Sequence, residues 1–234
     1  KIDLWSVEDD YTSDAYRTGY GFFKDKLITL FNGHVADMVA IGRLKTYDEK
    51  ENIILTVGRL GTEQKATDLL LESFCRIAGE CNYTLHLAGS VEPSFNDFIS
   101  EYFDRNPHLA DRVFFHGELE KGKLMDLYNR SKIFCLPSRY EGLAIVFPEA
   151  MYFRNVIVTS PYVSPAGLIM EEGLGIVVDD LTGASIAEAL LSVIEDQEGA
   201  AEFADKAHSF SKARFDWNVI VTELDREIKK RTAK

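Results

Sequence analysis

The stretch Pro137–Met151 reads PSRYEGLAIVFPEAM and follows the short apolar run Ile133–Leu136. An apolar run of this length is typical of a buried strand, which Pro137 and Ser138 would end. Pro148 suits the first turn of a helix, where a missing N–H group costs little. The stretch therefore predicts a strand, then a turn, then a helix.

Two carboxylates lie within this stretch. Glu141 is in the predicted turn, and Glu149 is about one turn into the predicted helix. Both would face the carboxyl end of the strand, where open α/β sheets bind ligands. Gly142 lets a ligand approach the backbone closely. The following amides lie where a helix start attracts phosphate, namely those of Leu143, Ala144 and Ile145. Taken singly, the two glutamates are better explained without a function, Glu141 as a surface acid and Glu149 as a first-turn acid favoured by the helix dipole.

Composition limits the classes of function. A chain of 234 residues holds one large domain or a domain with additional pieces, and 46% hydrophobic residues are ample for a buried core. The net charge of −12 argues against binding to nucleic acid or to an anionic membrane surface. The sequence contains no apolar run near the length of a membrane span.

Cysteine and carboxylate spacing gives no sign of a metal site. Cys75, Cys81 and Cys135 lie in apolar surroundings without ligand spacing, which predicts buried free thiols in a reducing compartment. No Asp-x-Asp pair and no His or Cys cluster has the spacing of metal ligands. We expect the histidines to be bystanders, with His34 in a loop.

From Asn52 onward, short apolar runs alternate with helical patterns, as in βαβ units with a parallel sheet. The predicted strands are Ile53–Val57, Thr84–Ala88, Val113–Phe115, Ile133–Leu136, Val156–Val158 and Gly175–Val178. The predicted helices are Lys65–Ala78, Ser94–Phe103 with Ser94 as its cap, Lys123–Asn129, Ser185–Glu195, Glu198–Phe210 and Trp217–Lys230. The fold class is therefore α/β, with a Rossmann-like parallel sheet and helices on both faces.

The first 32 residues have a different character, because acids alternate there with aromatic rings. A disordered segment would carry fewer aromatic residues. We expect these rings to pack on this domain or on another one: Trp5, Tyr11, Tyr16, Tyr20, Phe22 and Phe23. Lys26–Phe31 then predicts a strand that ends at the turn pair Asn32-Gly33.

A pair of cations follows the strand that Gly58 closes. Arg59 lies at its carboxyl end, and Lys65 lies at the start of the next helix. Two cations so placed suit a diphosphate. On spacing alone, an exposed arginine and a lysine whose stem covers apolar surface explain the pattern better.

The Pro137–Met151 pattern resembles the Glu-x7-Glu signature of retaining GT-B glycosyltransferases of family 4, the glycosyl transferases group 1. The chain keeps Pro137, Ser138, Glu141, Gly142, Glu149, Ala150 and Met151. It departs from the family pattern with Leu143 in place of Phe and Ala144 in place of Gly. This resemblance is what gives the two glutamates a functional interpretation.

Two other stretches carry the same resemblance. Gly58-Arg59-Leu60 with Lys65 resembles the element whose cations hold the donor pyrophosphate, although Ala66 replaces the usual Gly. Val113–Leu119 resembles the strand end beside which the nucleotide base lies, so backbone groups near Leu119 are expected to contact the base. The loop at residues 160–172 departs from the Gly-rich turn of the family and would lie near the donor sugar.

The resemblance implies the carboxyl-terminal, donor-binding half of a GT-B fold. Residues 1–35 would be the remnant of an amino-terminal domain and a linker, and 36–215 the Rossmann-like donor domain. Residues 216–234 would form a helix that crosses back to the amino-terminal domain. That missing domain supplies the acceptor site in the family, so this chain alone is expected to be inactive.

The implied function is metal-independent transfer of a sugar from a nucleoside diphosphate sugar, with retention of configuration and no further cofactor. Glu149 would bind the ribose, and Glu141 would contact the sugar as a nucleophile or as a positioning group. The acceptor would be a saccharide or a lipid-linked saccharide. The intact protein is expected to be cytoplasmic or peripheral to the inner face of the membrane.

Two other functions stay open at this point. A non-catalytic nucleotide-binding or interaction module would bind nucleotide without transferring sugar. Another GT-B enzyme, such as an epimerase or a phosphorylase, would also bind phosphate in this half of its fold. Release of nucleotide from a panel of sugar donors would separate these functions.

Overall fold

The computed structural model describes residues 4–19, 25–34 and 42–232. Its strands are β1 (Trp5–Val7), β2 (Leu27–Thr29), β3 (Glu51–Val57), β4 (Thr84–Ala88), β5 (Val113–Gly117), β6 (Ser131–Leu136), β7 (Val156–Thr159) and β8 (Gly175–Val177). Strands β3 to β8 form one sheet in the order β5-β4-β3-β6-β7-β8, and all neighbours are parallel. The predicted α/β class with a parallel sheet is confirmed.

Helices connect the strands and cover both faces of the sheet. They are α1 (Asp10–Gly19), α2 (Thr67–Ile77), α3 (Asn96–Arg105), α4 (Lys121–Arg130), α5 (Val146–Tyr152), α6 (Ala166–Glu172), α7 (Gly183–Glu195), α8 (Gln197–Arg214) and α9 (Trp217–Thr232). The sequence did not predict α1 or α6. The prediction that Ser94 caps a helix is wrong, because a 3-10 turn at Pro93–Phe95 precedes α3, and Phe95 at the cap position gives no side-chain bond.

Two apolar cores lie on opposite faces of the sheet. One packs α2, α3 and α7 against inward residues such as Ile54 and Leu85. The other packs α4, α5 and the start of α9 against residues such as Leu55 and Phe134. Alternate residues of each strand thus point to alternate faces, as strand geometry requires. Cys135 is buried as predicted, whereas Cys75 and Cys81 are only partly buried.

A smaller unit precedes the main sheet. Strands β1 and β2 pair in parallel and are joined by α1. Helix α9 lies near this unit, since Arg231 donates to the carbonyl of Asp25. His34 is in a loop as predicted, but it is buried against Tyr152, and burial lowers its pKa.

The aromatic residues near the amino terminus are only partly accounted for. Trp5, Tyr11 and Tyr16 keep large exposed fractions in the described structure. The rings of Tyr20, Phe22 and Phe23 lie outside the described residues, as does the predicted domain boundary at 35/36. In the part of the chain that the structure covers, no helix is long and apolar enough to cross a membrane.

Candidate active site

The site lies where the order of strands in the sheet reverses. Strands β4 and β5 follow β3 in the sequence and lie on one side of it in the sheet. The next strand, β6, pairs with the other side of β3. Loops that leave the carboxyl ends of two such strands diverge and leave a crevice that binds ligands in α/β proteins. Here these loops are residues 58–66, between β3 and α2, and residues 137–145, between β6 and α5.

An ion pair joins the two loops across the crevice. Lys65 Nζ contacts Glu141 Oε2, and the two side chains are 11% and 13% exposed. Charges that are largely withdrawn from water attract each other more strongly than a surface pair does. The structure therefore brings together two predicted site residues that are 76 positions apart.

Gly58 makes room for the lysine stem. A Cβ added at Gly58 would lie 3.1 Å from Lys65 Cε. On its other side, the carbonyl oxygen of Gly58 comes so close to Gly89 that a Cβ there would lie 1.9 Å from it. The two glycines therefore allow the carboxyl ends of β3 and β4 to approach each other under Lys65.

Ala66 shows why glycine is usual at this point of the motif. Its backbone is left-handed, with φ 49° and ψ 41°, directly after Lys65 and before α2. This conformation costs a residue with a Cβ about 1–2 kcal/mol. Ala66 is nonetheless buried, and its carbonyl accepts from the amides of Leu69 and Leu70. Alanine in place of the usual glycine thus adds local strain directly after Lys65.

Arg139 fixes the two loops to each other, a role that was not predicted from the sequence. Its guanidinium donates twice to the Asp68 carboxylate, at 3.1 and 2.7 Å, and once to the carbonyl of Glu63 at 2.8 Å. Its backbone amide donates to the carbonyl of Gln64 at 2.8 Å. The hydrogen bonds to Asp68 raise the pKa of Arg139. Arg139 thus holds the segment that carries Lys65.

Arg59 lies at the carboxyl end of β3 as predicted and is exposed. Its guanidinium donates to Gln64 Oε1 at 3.1 Å. It forms no ion pair with an acid in the described structure. Because a guanidinium has five N–H donors, most of them are available to a ligand.

The segment that leads into α5 combines an anchor and an open surface. Leu143 is buried in the core, whereas Ile145 is exposed. A Cβ at Gly142 would meet no described atom within 4 Å, so the protein itself leaves this side of the turn open. The amide of Ala144 already donates to the carbonyl of Gly142 at 3.0 Å, which makes it a poorer phosphate donor than the sequence suggested.

Glu149 is one turn into α5 and is partly buried. Its Oε2 accepts a hydrogen bond from the Tyr128 hydroxyl at 3.2 Å. Burial raises the pKa of Glu149, while the Tyr128 hydrogen bond and the charge of Lys121 lower it. In the described structure, no hydrogen bond or ion pair joins Glu149 to Lys65 or Glu141. Tyr128 is a second site residue that the sequence did not reveal, because its pattern on α4 is that of any core aromatic residue.

Leu119 lies in the loop between β5 and α4 and packs partly against the core. The carbonyl of Gly117, at the start of this loop, accepts from the amide of Gly89 at 2.8 Å. Beside it, His116 Nε2 and His86 Nδ1 lie 3.0 Å apart. Burial and the nearby His116 lower the pKa of His86 to about 4, and burial lowers the pKa of His116.

A cavity of about 590 Å³ opens next to Glu141. This is a usual size for a site that binds a small molecule. Its walls come from three places, which are the 137–142 loop, the 161–167 loop and the start of α1. Glu141 is fixed in this wall because its carbonyl accepts from the amide of Ser164 at 2.8 Å. Tyr140 and Tyr162 line the cavity and are each 57% exposed.

The described residues include no group of three His, Cys, Asp or Glu side chains that could hold a metal ion. The metal-free reaction inferred from the sequence stays a prediction.

Comparison with known proteins identifies the family. The family model for glycosyl transferases group 1 matches residues 43–210. Alpha-D-kanosaminyltransferase of Streptomyces kanamyceticus is 26% identical over 166 residues, which are 70% of this chain and 42% of that protein. The lipopolysaccharide core biosynthesis mannosyltransferase LpcC of Rhizobium leguminosarum is 32% identical over 155 residues, 65% of this chain and 44% of that protein. The chain thus spans less than half the length of either relative.

Solved structures share the fold. Sucrose-phosphate synthase from Thermosynechococcus elongatus superposes with a TM-score of 0.75 at 22% identity, over 100% of this chain and 59% of that chain. Anabaena HepE in complex with UDP and glucose superposes with a TM-score of 0.76 at 17% identity, over 97% of this chain and 63% of that chain. The fold is the Rossmann-like α/β fold of GT-B glycosyltransferases. Since the family model matches well over half of the chain, this chain belongs to the glycosyl transferases group 1 family.

Proposed function

We propose that this chain is the donor-binding part of a retaining glycosyltransferase that transfers a sugar from a nucleoside diphosphate sugar without a metal ion. The contact between Lys65 and Glu141 at the switch point of the sheet carries the proposal. In this proposal the cation would face a leaving diphosphate, and the neighbouring carboxylate would face the sugar. The bond that breaks in the reaction joins those two parts of the donor.

The two cations would stabilise the leaving group. When the bond from the anomeric carbon to the diphosphate breaks, its electron pair goes to the phosphate oxygen and negative charge grows there. Lys65 is largely withdrawn from water, so its attraction for this charge is strong, and it is already oriented by its surroundings. Arg59 is exposed and retains free donors, so it would complete the contact from the solvent side.

Glu149 would hold the ribose of the donor. A carboxylate is an acceptor only, with room for several hydrogen bonds. Tyr128 fills one of these positions, and others remain for ribose hydroxyl groups. The backbone near Leu119 would contact the base, and Gly142 and Leu143 would lie along the path of the phosphates and sugar.

Glu141 would act on the sugar near the carbon that reacts. Its carboxylate lies beside the 590 Å³ cavity, which is large enough for a sugar ring. Transfer with retention then follows if the acceptor oxygen attacks the same face that the diphosphate leaves. The acceptor hydroxyl loses its proton, and the leaving diphosphate is the nearest base that gains charge. Glu141 would stabilise the positive charge that develops on the sugar.

The acceptor and its binding site belong to the whole protein. Because the chain spans less than half the length of the two relatives compared above, we place the acceptor site in an amino-terminal domain outside this sequence. The cavity wall formed by α1 would then adjoin that domain. A saccharide or lipid-linked saccharide is the proposed acceptor, and this chain alone is expected to have negligible transferase activity.

UDP-sugars are the first donors to test, because HepE was solved with UDP and glucose. Location in the cytoplasm or at the inner face of the membrane stays a prediction.

The test is turnover of the intact protein with a panel of nucleotide sugars, followed by release of nucleoside diphosphate. We expect NMR of the product to show the anomeric configuration of the donor, and turnover to continue after treatment with a chelator. A product of inverted configuration would overturn the retaining mechanism. Nucleotide binding without any release across the panel would favour a non-catalytic module instead.

A further inference from the structure

Close packing fixes the ring of Tyr128 and the direction of its hydroxyl group. It is 1% exposed, and its ring lies parallel to the ring of Phe153, with centroids 5.8 Å apart. Phe134 packs against it at 5.9 Å. Since a close-packed ring cannot turn without displacing its neighbours, the direction of the hydroxyl is fixed. That hydroxyl donates to Glu149 Oε2 at 3.2 Å.

The backbone of Tyr128 is fixed as well. Its carbonyl accepts from Lys50 Nζ at 3.0 Å and from Asn155 Nδ2 at 2.9 Å. Both donors are buried, and Asn155 lies just after α5, the helix that carries Glu149. Lys50 also donates to the next carbonyl, that of Asn129, at 3.0 Å. The end of α4 is therefore tied to α5 through both its backbone and its tyrosine side chain.

We propose that Tyr128 is a positioning residue for nucleotide binding, which fixes the Glu149 carboxylate so that its remaining acceptor positions face the ribose. This inference rests on the proposed role of Glu149 in the donor site. The tyrosine touches no part of the ligand itself and acts only through the carboxylate. A carboxylate held by a fixed hydrogen-bond partner loses less rotational freedom when a ligand binds, which favours affinity.

The charges around Glu149 agree with this role. The groups that act on it are Tyr128 and Lys121, both from α4. Burial raises the pKa of Glu149, and the tyrosine hydrogen bond opposes that rise. Burial also raises the pKa of Tyr128, so the phenol remains a donor across the physiological range. Removing the hydroxyl would make Glu149 easier to protonate, and a protonated carboxyl group is a poorer acceptor for two hydroxyls.

A purely structural role for the hydroxyl predicts something different. The phenol would then only satisfy a buried polar group, and its loss would lower stability without changing UDP affinity. Tyr102 offers a matched control. It is buried in the opposite core, and its hydroxyl has no hydrogen-bond partner in the described structure.

The experiment compares Tyr128→Phe, Tyr102→Phe and Glu149→Gln. UDP affinity is measured by calorimetry at pH 5.5 and at pH 8.5. The affinity of each variant is divided by that of the unchanged chain at the same pH. The ratio cancels the titration of UDP itself. We expect Tyr128→Phe to lose affinity about 2- to 10-fold at pH 5.5, as for one hydrogen bond, and less at pH 8.5. Tyr102→Phe should leave affinity unchanged at both pH values.

The outcomes separate this inference from the proposed function. If Glu149→Gln weakens UDP and Tyr128→Phe does not, the inference fails and the donor site stands. If Tyr128→Phe lowers the melting temperature and leaves UDP affinity unchanged at both pH values, the hydroxyl has only a structural role. An equal loss of affinity at both pH values would mean that the hydroxyl orients the carboxylate without changing its protonation. If neither variant changes affinity, both the inference and the role of Glu149 are wrong. Thermal unfolding of each variant, and the pH titration of the Glu149 carboxyl carbon by NMR, keep the test valid if Tyr128→Phe folds less well.

Discussion

Glu141→Gln should strengthen the binding of a nucleoside diphosphate, although it removes a group of the proposed active site. In the structure, Lys65 Nζ is paired with Glu141, so one of its three ammonium donors is already engaged by a carboxylate. A diphosphate must therefore share or displace that carboxylate, and it also meets the negative charge of Glu141. The glutamine keeps the size of the side chain and removes the charge. Lys65 then has no anionic competitor for the ligand.

The expected gain in affinity follows from the burial of the Lys65–Glu141 ion pair. A hydrogen bond to a charged group contributes about 1.5–3 kcal/mol net. Because Lys65 and Glu141 are 11% and 13% exposed, the competing bond belongs in that range rather than with surface pairs. Since part of the bond survives with the glutamine, a gain of about 1–2 kcal/mol is expected, or roughly 5- to 30-fold in affinity. The free energy of unfolding should fall by about 1–3 kcal/mol, because Lys65 loses its charged hydrogen-bond partner in the absence of ligand.

Calorimetry with UDP measures the affinity, and thermal unfolding with and without UDP measures the stability. Glu63→Gln is the control, since Glu63 is an exposed acid in the same loop whose carboxylate does not contact Lys65. Glu63→Gln should change the net charge by the same amount as Glu141→Gln and leave the affinity for UDP almost unchanged. In the intact protein, Glu141→Gln should reduce turnover while UDP binds more tightly. Unchanged or weaker UDP binding would show that the ion pair does not compete with the ligand, and would refute the placement of the diphosphate at Lys65.

Three further outcomes are expected. Lys65→Ala and Arg59→Ala should each weaken UDP binding by about 1–3 kcal/mol in calorimetry and leave uridine binding almost unchanged, because only the diphosphate meets these cations. Arg139→Ala should lower both the melting temperature and the UDP affinity, and Arg139→Lys should restore little, because lysine cannot reproduce the two parallel bonds to the carboxylate. Stability should fall as the pH falls from about 6.5 toward 4, because the lowered pKa values of His86 and His116 mean that the unfolded chain binds more protons there. His86→Gln should make the melting temperature less dependent on pH in that window.

Each of these has a result that contradicts it. Equal losses for UDP and uridine would move the cations away from the diphosphate. Full recovery of UDP affinity with Arg139→Lys would show that a single charge is enough at that position. A melting temperature of His86→Gln that follows the unchanged chain from pH 6.5 to 4 would mean that other groups govern the acid side of the stability curve.

The sheet could be predicted because its strands are short apolar runs closed by glycine or proline. Thr84–Ala88 was predicted with its observed ends, and other boundaries differ by a few residues. The prediction failed for α1, where Asp9 caps the helix through the Thr12 amide at 2.7 Å. That signal was present in the sequence, but the acids around it obscured the helical pattern. It also failed for α6, which is short and begins directly after Pro165.

The site was predictable only as far as its motifs extend. The positions of Glu141, Glu149, Arg59 and Lys65 at strand and helix ends follow from local sequence. The contact between Lys65 and Glu141 does not, because it depends on β3 and β6 being neighbours in the sheet. The roles of Arg139 and Tyr128 were missed for the same reason, since a side chain's partner across the fold leaves no periodic mark in the sequence.

The pairing of β3 with β6 also sets an order in which the protein can assemble. Strands β3, β4 and β5 are linked by short βαβ connections, and their pairs close early. The edge of β3 that faces away from β4 has no partner until residues 131–136 have been synthesised. Until then, the apolar Ile53–Val57 segment is paired on one side only. An unpaired apolar edge is a hazard for aggregation. During synthesis of the chain we therefore expect a period of dependence on chaperones that ends when β6 arrives. Pulsed hydrogen exchange that protected β3 and β6 amides before those of β4 would argue against this order.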